Sequence, residues 1–123
     1  MMRRPGIEGA RRLLRRWYHA QAATTIAARA TTASQALGLE FRSLRIRAQR
    51  RRWGSCSARG SLSFNYRLIM APPHVLDYVV VHELLHLREM NHSRRFWALV
   101  AQHCPRHRDA RTWLKTFGPY LVV

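Results

Sequence analysis

The chain has one lysine, few acids and no long apolar run. Lys115 stands alone among 22 basic residues, against six carboxylates, so arginine carries almost all of a formal net charge of +16. Such a surplus concentrates phosphates around a protein and makes nucleic acid a candidate partner through the Arg-rich surface. A compositional bias toward arginine and alanine competes with that reading; it explains arginine over lysine but not the shortage of acids. Cysteine is scarce as well. Cys56 and Cys104 lie far apart and form no CxxC pair, which excludes a disulfide framework and leaves two reduced thiols. Reduced thiols predict a cytoplasmic protein. No stretch approaches the roughly 18–20 apolar residues that cross a bilayer, so no membrane partner is expected. Arg11, Arg12, Arg15 and Arg16 interrupt any signal-peptide core, while residues 1–35, rich in Arg, Ala and Thr, read either as a folded helix or as a transit peptide.

What is present suits one domain over residues 1–123, with residues 1–10, which hold Pro5, Gly6 and Gly9, frayed. Leu13, Leu14, Trp17, Ala20, Ile26, Ala27, Ala30 and Ala33 recur at helical steps and predict a helix from about Ala10 to Leu37, closed by Gly38. Leu44, Ile46 and Ala48 then alternate with polar residues, as do Leu62, Phe64, Tyr66 and Leu68. Two strands are predicted there, paired antiparallel across a long loop. Pro73 opens a helix that is apolar on most sides and runs to about Met90. Asn91 breaks it, Ser93 caps a helix over 94–103, and a last helix covers 107–117.

The chemistry lies in His82-Glu83-Leu84-Leu85-His86, an HExxH pattern. A four-residue step turns a helix by about 400°, which leaves the two imidazoles stacked about 40° apart and able to share one metal ion. Glu83 stands beside the pair, where the carboxylate activates a zinc-bound water in hydrolases of this type. At this chain's composition the pattern arises by chance about once in a hundred sequences. The motif also sits on the most apolar helix, where a carboxylate is costly without a purpose. A catalytic zinc takes three protein ligands and leaves a position open. His92 is the expected third ligand. On a straight helix it would lie about 240° round from His86, so the helix must end before it. Glu89 is the alternative ligand, or else a hydrogen-bond partner of a ligand imidazole. HELLHLREMNH overlaps the long metzincin pattern, but Glu89 replaces the glycine that pattern requires and no Met-turn follows.

Three motifs carry a resemblance: Trp53-Gly54-Ser55-Cys56-Ser57, Arg67-Leu68-Ile69-Met70-Ala71-Pro72-Pro73, and His82-Glu83 through Asn91-His92-Ser93 with Phe96-Trp97. In order and spacing they resemble the YgjP-like metal-dependent hydrolases, relatives of the SprT-like and WLM peptidases, over about residues 13–120. The resemblance implies that His82, His86 and His92 bind one Zn2+ per chain and that Glu83 is the catalytic acid–base. It implies a peptide or protein substrate. Family members resemble longer proteins with an added β-rich N-terminal part, and the zinc ribbon of SprT-type proteins has no counterpart here.

The expected fold is α+β and zincin-like: a small antiparallel sheet packed against an HExxH helix, with additional helices. The expected function is a zinc-dependent metallopeptidase. The alternative is a nucleic-acid-binding or DNA-associated SprT-like protein whose zinc is structural or vestigial. Trp53, Ser55 and Cys56 are read either as lining the substrate cleft or as part of a tight turn, and Asn65 as a further cleft residue on a strand whose edge pairs with substrate. Cys56 as a fourth ligand would close the site. Tyr78, one turn before His82, either packs or faces the reaction oxyanion. Phe96, Trp97 and Leu99 are expected in the core. His103, Cys104 and His107 mark either an interrupted helix end or a second metal site.

Overall fold

The computed structural model describes residues 6–49 and 51–122. Its elements, in chain order, are α1 (Ile7–Leu37), β1 (Ser43–Arg47), β2 (Gly54–Cys56), β3 (Ser61–Asn65), a 3-10 turn (Tyr66–Met70), α2 (Pro73–Leu85), α3 (Arg94–His103), α4 (His107–Phe117) and a short 3-10 turn at Gly118–Tyr120. The fold is α+β: α1 and α2 lie against a three-stranded sheet, and α3 and α4 pack on α2.

Helix α1 begins at Ile7, within the stretch expected to fray; Arg3, Arg4 and Arg50 lie outside the described residues. Ala22, Ile26 and Ala30 repeat at four-residue steps and are fully buried, because small side chains let α1 lie close on the 3-10 turn and α2. Gly38, at φ 66°, ends the helix in the left-handed conformation that glycine adopts without strain. The first third behaves differently. Leu13, Leu14 and Trp17 keep the helical period, yet each is about half exposed or more, since α1 extends past the elements it packs on. Arg11, Arg12, Arg15 and Arg16 are exposed on the same segment. Among the described residues no helix is long and apolar enough to cross a membrane.

The sheet corrects the expected topology. Its order is β1-β3-β2; β1 pairs parallel to β3, and only β2 runs antiparallel to it. The cause lies in the loop between the two predicted strands. That loop contains β2, joined to β3 by a turn in which the Gly60 N–H donates to the Ser57 carbonyl (3.0 Å) and the Ser61 N–H to Ser57 Oγ (3.1 Å). The chain therefore reverses twice between β1 and β3 and leaves them pointing the same way. Leu62 and Phe64 fill the core from β3 as their alternation predicts. However, β3 is the central strand, so it cannot offer a free edge; β2 is the strand beside α2 with none beyond it among the described residues. The predicted β3 run also ends early. Asn65 Oδ1 accepts from the Arg67 N–H (3.0 Å) and caps the 3-10 turn that takes Tyr66 and Leu68 into the core.

Helix α2 buries Val75, Leu76, Tyr78, Val79, Val80, Leu84 and Leu85, apolar on nearly every side as expected. It stops at Leu85, five residues before Met90. The His86, Leu87 and Arg88 N–H groups donate to carbonyls three residues back, at 3.2, 3.0 and 3.0 Å. This tightening bends the chain before Asn91. An ion pair from Arg29 Nη1 to both Asp77 oxygens (3.0 and 2.8 Å) joins α1 to α2. Ser93 Oγ caps α3 by accepting from the Phe96 N–H (3.2 Å).

Candidate metal centre

Helix α2 supplies His82 and Glu83, its tightened end supplies His86, and the corner before α3 supplies His92. Ligating atoms of the three histidines all lie within 4.8 Å of one another. His82 Nε2 and His92 Nε2 are 3.3 Å apart. Two nitrogens bound tetrahedrally to zinc at about 2.0–2.1 Å would stand about 3.3 Å apart, so this pair already has the required spacing. The early end of α2 is what brings His92 back. Three imidazoles with a common focus fit a bound metal ion and leave a fourth position free.

The outer ring nitrogens are tied. His82 Nδ1 meets Tyr78 Oη at 3.2 Å, and His86 Nδ1 donates to the Glu89 backbone carbonyl at 3.1 Å. The Glu89 carbonyl can only accept, so it fixes the His86 tautomer that leaves Nε2 with its lone pair toward the shared point; the Tyr78 hydroxyl can accept from His82 Nδ1–H and so supports the same tautomer there. Tyr78 thus touches a histidine one turn away through its hydroxyl. Glu89 acts through its backbone, while its side chain lines a separate hollow with Arg88, Arg95 and Leu99. Phe96 and Trp97 are more than core residues. His86 stacks on Phe96 (centroids 4.5 Å, 13° between planes) and His92 on Trp97 (5.9 Å, 25°), while His82 meets both edge-on. These rings hold the imidazole planes. Their position three and four residues after Ser93, in the first turn of a capped helix following His92, was the available signal for that role.

Burial pushes the His82 pKa down to about 3, with His86, His92 and Arg111 adding repulsion. Burial lowers His86 too, against opposing hydrogen bonds from the Glu89 and Met90 backbone. Near neutral pH both rings are uncharged, the form that binds a metal. Burial pushes Glu83 up to about 7, with Arg52 pulling it the other way. Its Oε2 lies 4.0 Å from His82 Nε2, and beside a neutral imidazole this is a contact rather than an ion pair.

The cleft over the histidines has a volume of about 370 Å³ and is lined by Arg52, Gly54, Ser55, Cys56, His82, Glu83, His86, Met90 and His92. Strand β2 forms its wall. A neighbouring hollow of about 270 Å³ shares Arg52, Gly54, His82 and Glu83 and adds Trp53, Tyr78, Val79, Arg111 and Leu114. The structure therefore brings Trp53, Ser55 and Cys56 to the site. Burial and the nearby Glu83 push the Cys56 thiol up to about 11, which keeps it protonated, and it lies outside the histidine cluster. Asn65 does not line the cleft over the histidines: it borders a further depression with Arg52 and Trp53, and its Nδ2 donates to the Gln49 and Arg52 carbonyls at 2.7 and 3.2 Å, pinning the loop that carries Arg52 and Trp53. His103, Cys104 and His107 form no metal-competent group among the described residues.

Gly54 has a steric role that the motif alone does not reveal. A Cβ there would lie 2.9 Å from Glu83 Cγ, 3.1 Å from Phe64 Cδ1 and 3.2 Å from the Ser63 carbonyl. Only a residue without a side chain lets β2 approach Glu83 so closely. Gly54→Ala is expected to cost about 1–3 kcal/mol of stability through overpacking, measured by urea unfolding. An unchanged midpoint would mean that β2 moves away freely.

The fold is similar to that of a solved metallopeptidase zymogen. It matches the crystal structure of the metallopeptidase zymogen abylysin from Pyrococcus abyssi with a TM-score of 0.64 and 23% sequence identity, over 73% of this chain and 93% of that one. The YgjP-like metallopeptidase domain profile matches residues 3–117, and the chain belongs to that family. No curated protein matches it. The family match points to a peptidase.

Proposed function

We propose that the protein is a zinc-dependent peptidase in which His82, His86 and His92 hold the metal and Glu83 moves the proton. The observation that carries this is the 3.3 Å approach of two Nε2 atoms whose rings are fixed from behind and from below. A set of neutral imidazoles with an open position suits Zn2+. When bound, zinc acts as a Lewis acid that acidifies water and polarises the scissile carbonyl. Glu83, buried at the cleft wall, takes the proton from the attacking water and returns it to the leaving amine. The open edge of β2 aligns an extended peptide across the cleft by main-chain hydrogen bonds. Ser55, at the centre of that strand, sits nearest the middle of the aligned segment. Free Cys56 and Cys104 support a cytoplasmic setting.

Purified protein is expected to carry one zinc per chain and to cleave an unstructured protein substrate, with a chelator stopping cleavage and zinc restoring it. Absence of zinc together with no binding on titration defeats the proposal. Tyr78 supplies a finer check. Tyr78→Phe keeps the ring but removes the hydroxyl at His82 Nδ1. It is expected to weaken zinc binding about 10- to 100-fold, read by competition with a chromophoric chelator. Unchanged affinity would reduce Tyr78 to packing.

A further inference from the structure

Arginines gather on one side of the metal centre, where Glu83 is the one acid among the lining residues. Arg52 lines the cleft over the histidines, the hollow beside it and a third depression of about 420 Å³. The three adjoin and form the sections of a trough: Arg52, Gly54, His82 and Glu83 line both of the first two, and Arg52, Trp53 and Leu114 line both the second and the third. Arg111 enters the middle section with its guanidinium carbon 4.4 Å from the centre of the Trp97 ring, the same ring on which His92 stacks. Arg51, Arg67 and Lys115 line the far end.

The chain has only six carboxylates, and their placement is informative. Glu8, Asp77 and Asp109 are spent on Arg11, Arg29 and Arg106, all away from the trough. Glu40 and Glu89 line other hollows. Glu83 alone faces the trough, and it is the group needed for proton transfer. Neither Arg52 nor Arg111 forms an ion pair among the described residues. Arg52 and Arg111 are themselves exposed, and an arginine-rich composition explains exposure, but not the placement of one over an aromatic ring beside the metal centre with every acid but Glu83 off the trough. Neighbouring guanidinium groups repel, and an anionic ligand relieves that repulsion. The fork of a guanidinium suits a carboxylate or a phosphate, and on a peptide substrate the anion at hand is a carboxylate.

We propose that the trough recognises a carboxylate on the substrate, near the scissile bond, with Arg52 and Arg111 as the residues that set this specificity. The proposal rests on the peptidase reading and names its substrate class. The carboxylate is either an acidic side chain or a free C-terminus.

The test compares matched peptides that differ only in carrying Glu or Gln beside the scissile bond, and a free or amidated C-terminus. The Glu/Gln pair and the acid/amide pair separate the two sources. One pair is expected to show a ratio of about 10- to 100-fold in kcat/KM, mostly through KM. Arg52→Gln and Arg111→Gln are expected to bring that ratio toward unity, with Arg111→Lys recovering part of it and Arg12→Gln, on the distant α1, leaving it alone. Ratios near unity in the wild type for both pairs overturn the proposal while leaving the peptidase reading intact. If no peptide is cleaved, the peptidase reading fails, and titration of the same peptides against tryptophan fluorescence decides the proposal separately, since Trp53 lines the trough and Trp97 lies under Arg111. Equal binding of the Glu and Gln peptides, and of the acid and amide, overturns it there. So does an oligonucleotide that displaces the acidic peptide and loses its own affinity in both arginine variants, because the trough is then a polyanion site.

Discussion

Glu83→Gln is expected to retain one zinc per chain and to lose about 100- to 10,000-fold in kcat/KM, the range that a positioned acid–base contributes. Glutamine matches glutamate in size, so the close contact between Gly54 and residue 83 survives the change. What disappears is the ability to take a proton from water and return it to the leaving amine. The same substitution should not weaken the fold. Burial disfavours the Glu83 carboxylate, and a neutral amide at 7% exposure escapes that penalty. The melting temperature of the metal-free variant should equal or exceed that of the wild type. A fall in activity with full metal content and an undiminished melting temperature assigns the loss to chemistry. Equal turnover in variant and wild type removes Glu83 from the mechanism.

The parts of this site that could be read from sequence are those with a local period. Histidines four residues apart on an apolar helix announce their common face, and Ser93 announces the start of α3. The end of α2 is hidden because Leu87 and Met90 continue its apolar pattern; only the change from four-residue to three-residue hydrogen bonds reveals the bend at His86. The sheet was misread for a different reason. Strand β2 has three residues, too few for alternation to register, and missing it reverses the sense in which β1 and β3 pair. Leu13, Leu14 and Trp17 show the opposite case, a correct period on a helix segment with nothing packed against it. Phe96 lies in the core and Trp97 and Leu99 pack against it, as their pattern predicts; what the pattern does not show is that the rings of Phe96 and Trp97 also pack on imidazoles. Arg52 and Arg111 could not stand out in a chain where arginine is everywhere, and only their position relative to the metal centre separates them from the rest.

His92→Ala is expected to weaken zinc binding about 100- to 1000-fold while leaving the apo fold nearly as stable as before. Zinc bound by four ligands in structural sites gains about 10–16 kcal/mol, or roughly 2.5–4 kcal/mol for each ligand, which sets the size of that loss. His92 is exposed in the corner before α3, and its ring rests on Trp97 without being enclosed. Removing it therefore leaves no cavity. His82 provides the contrast. Its ring lies among Tyr78, Phe96 and Trp97, so His82→Ala should lose the metal and also lower the melting temperature measured with chelator present. The pair of variants thus separates ligation from packing: both lose zinc, and only one loses stability without it. Glu89 offers the rival outcome, since a carboxylate three residues after His86 could take the third position if the 86–91 segment rearranged around a metal ion. In that event His92→Ala would keep wild-type affinity and Glu89→Ala would lose it. The tie between His86 Nδ1 and the Glu89 carbonyl argues against such a rearrangement, because turning residue 89 inward would break the bond that orients His86.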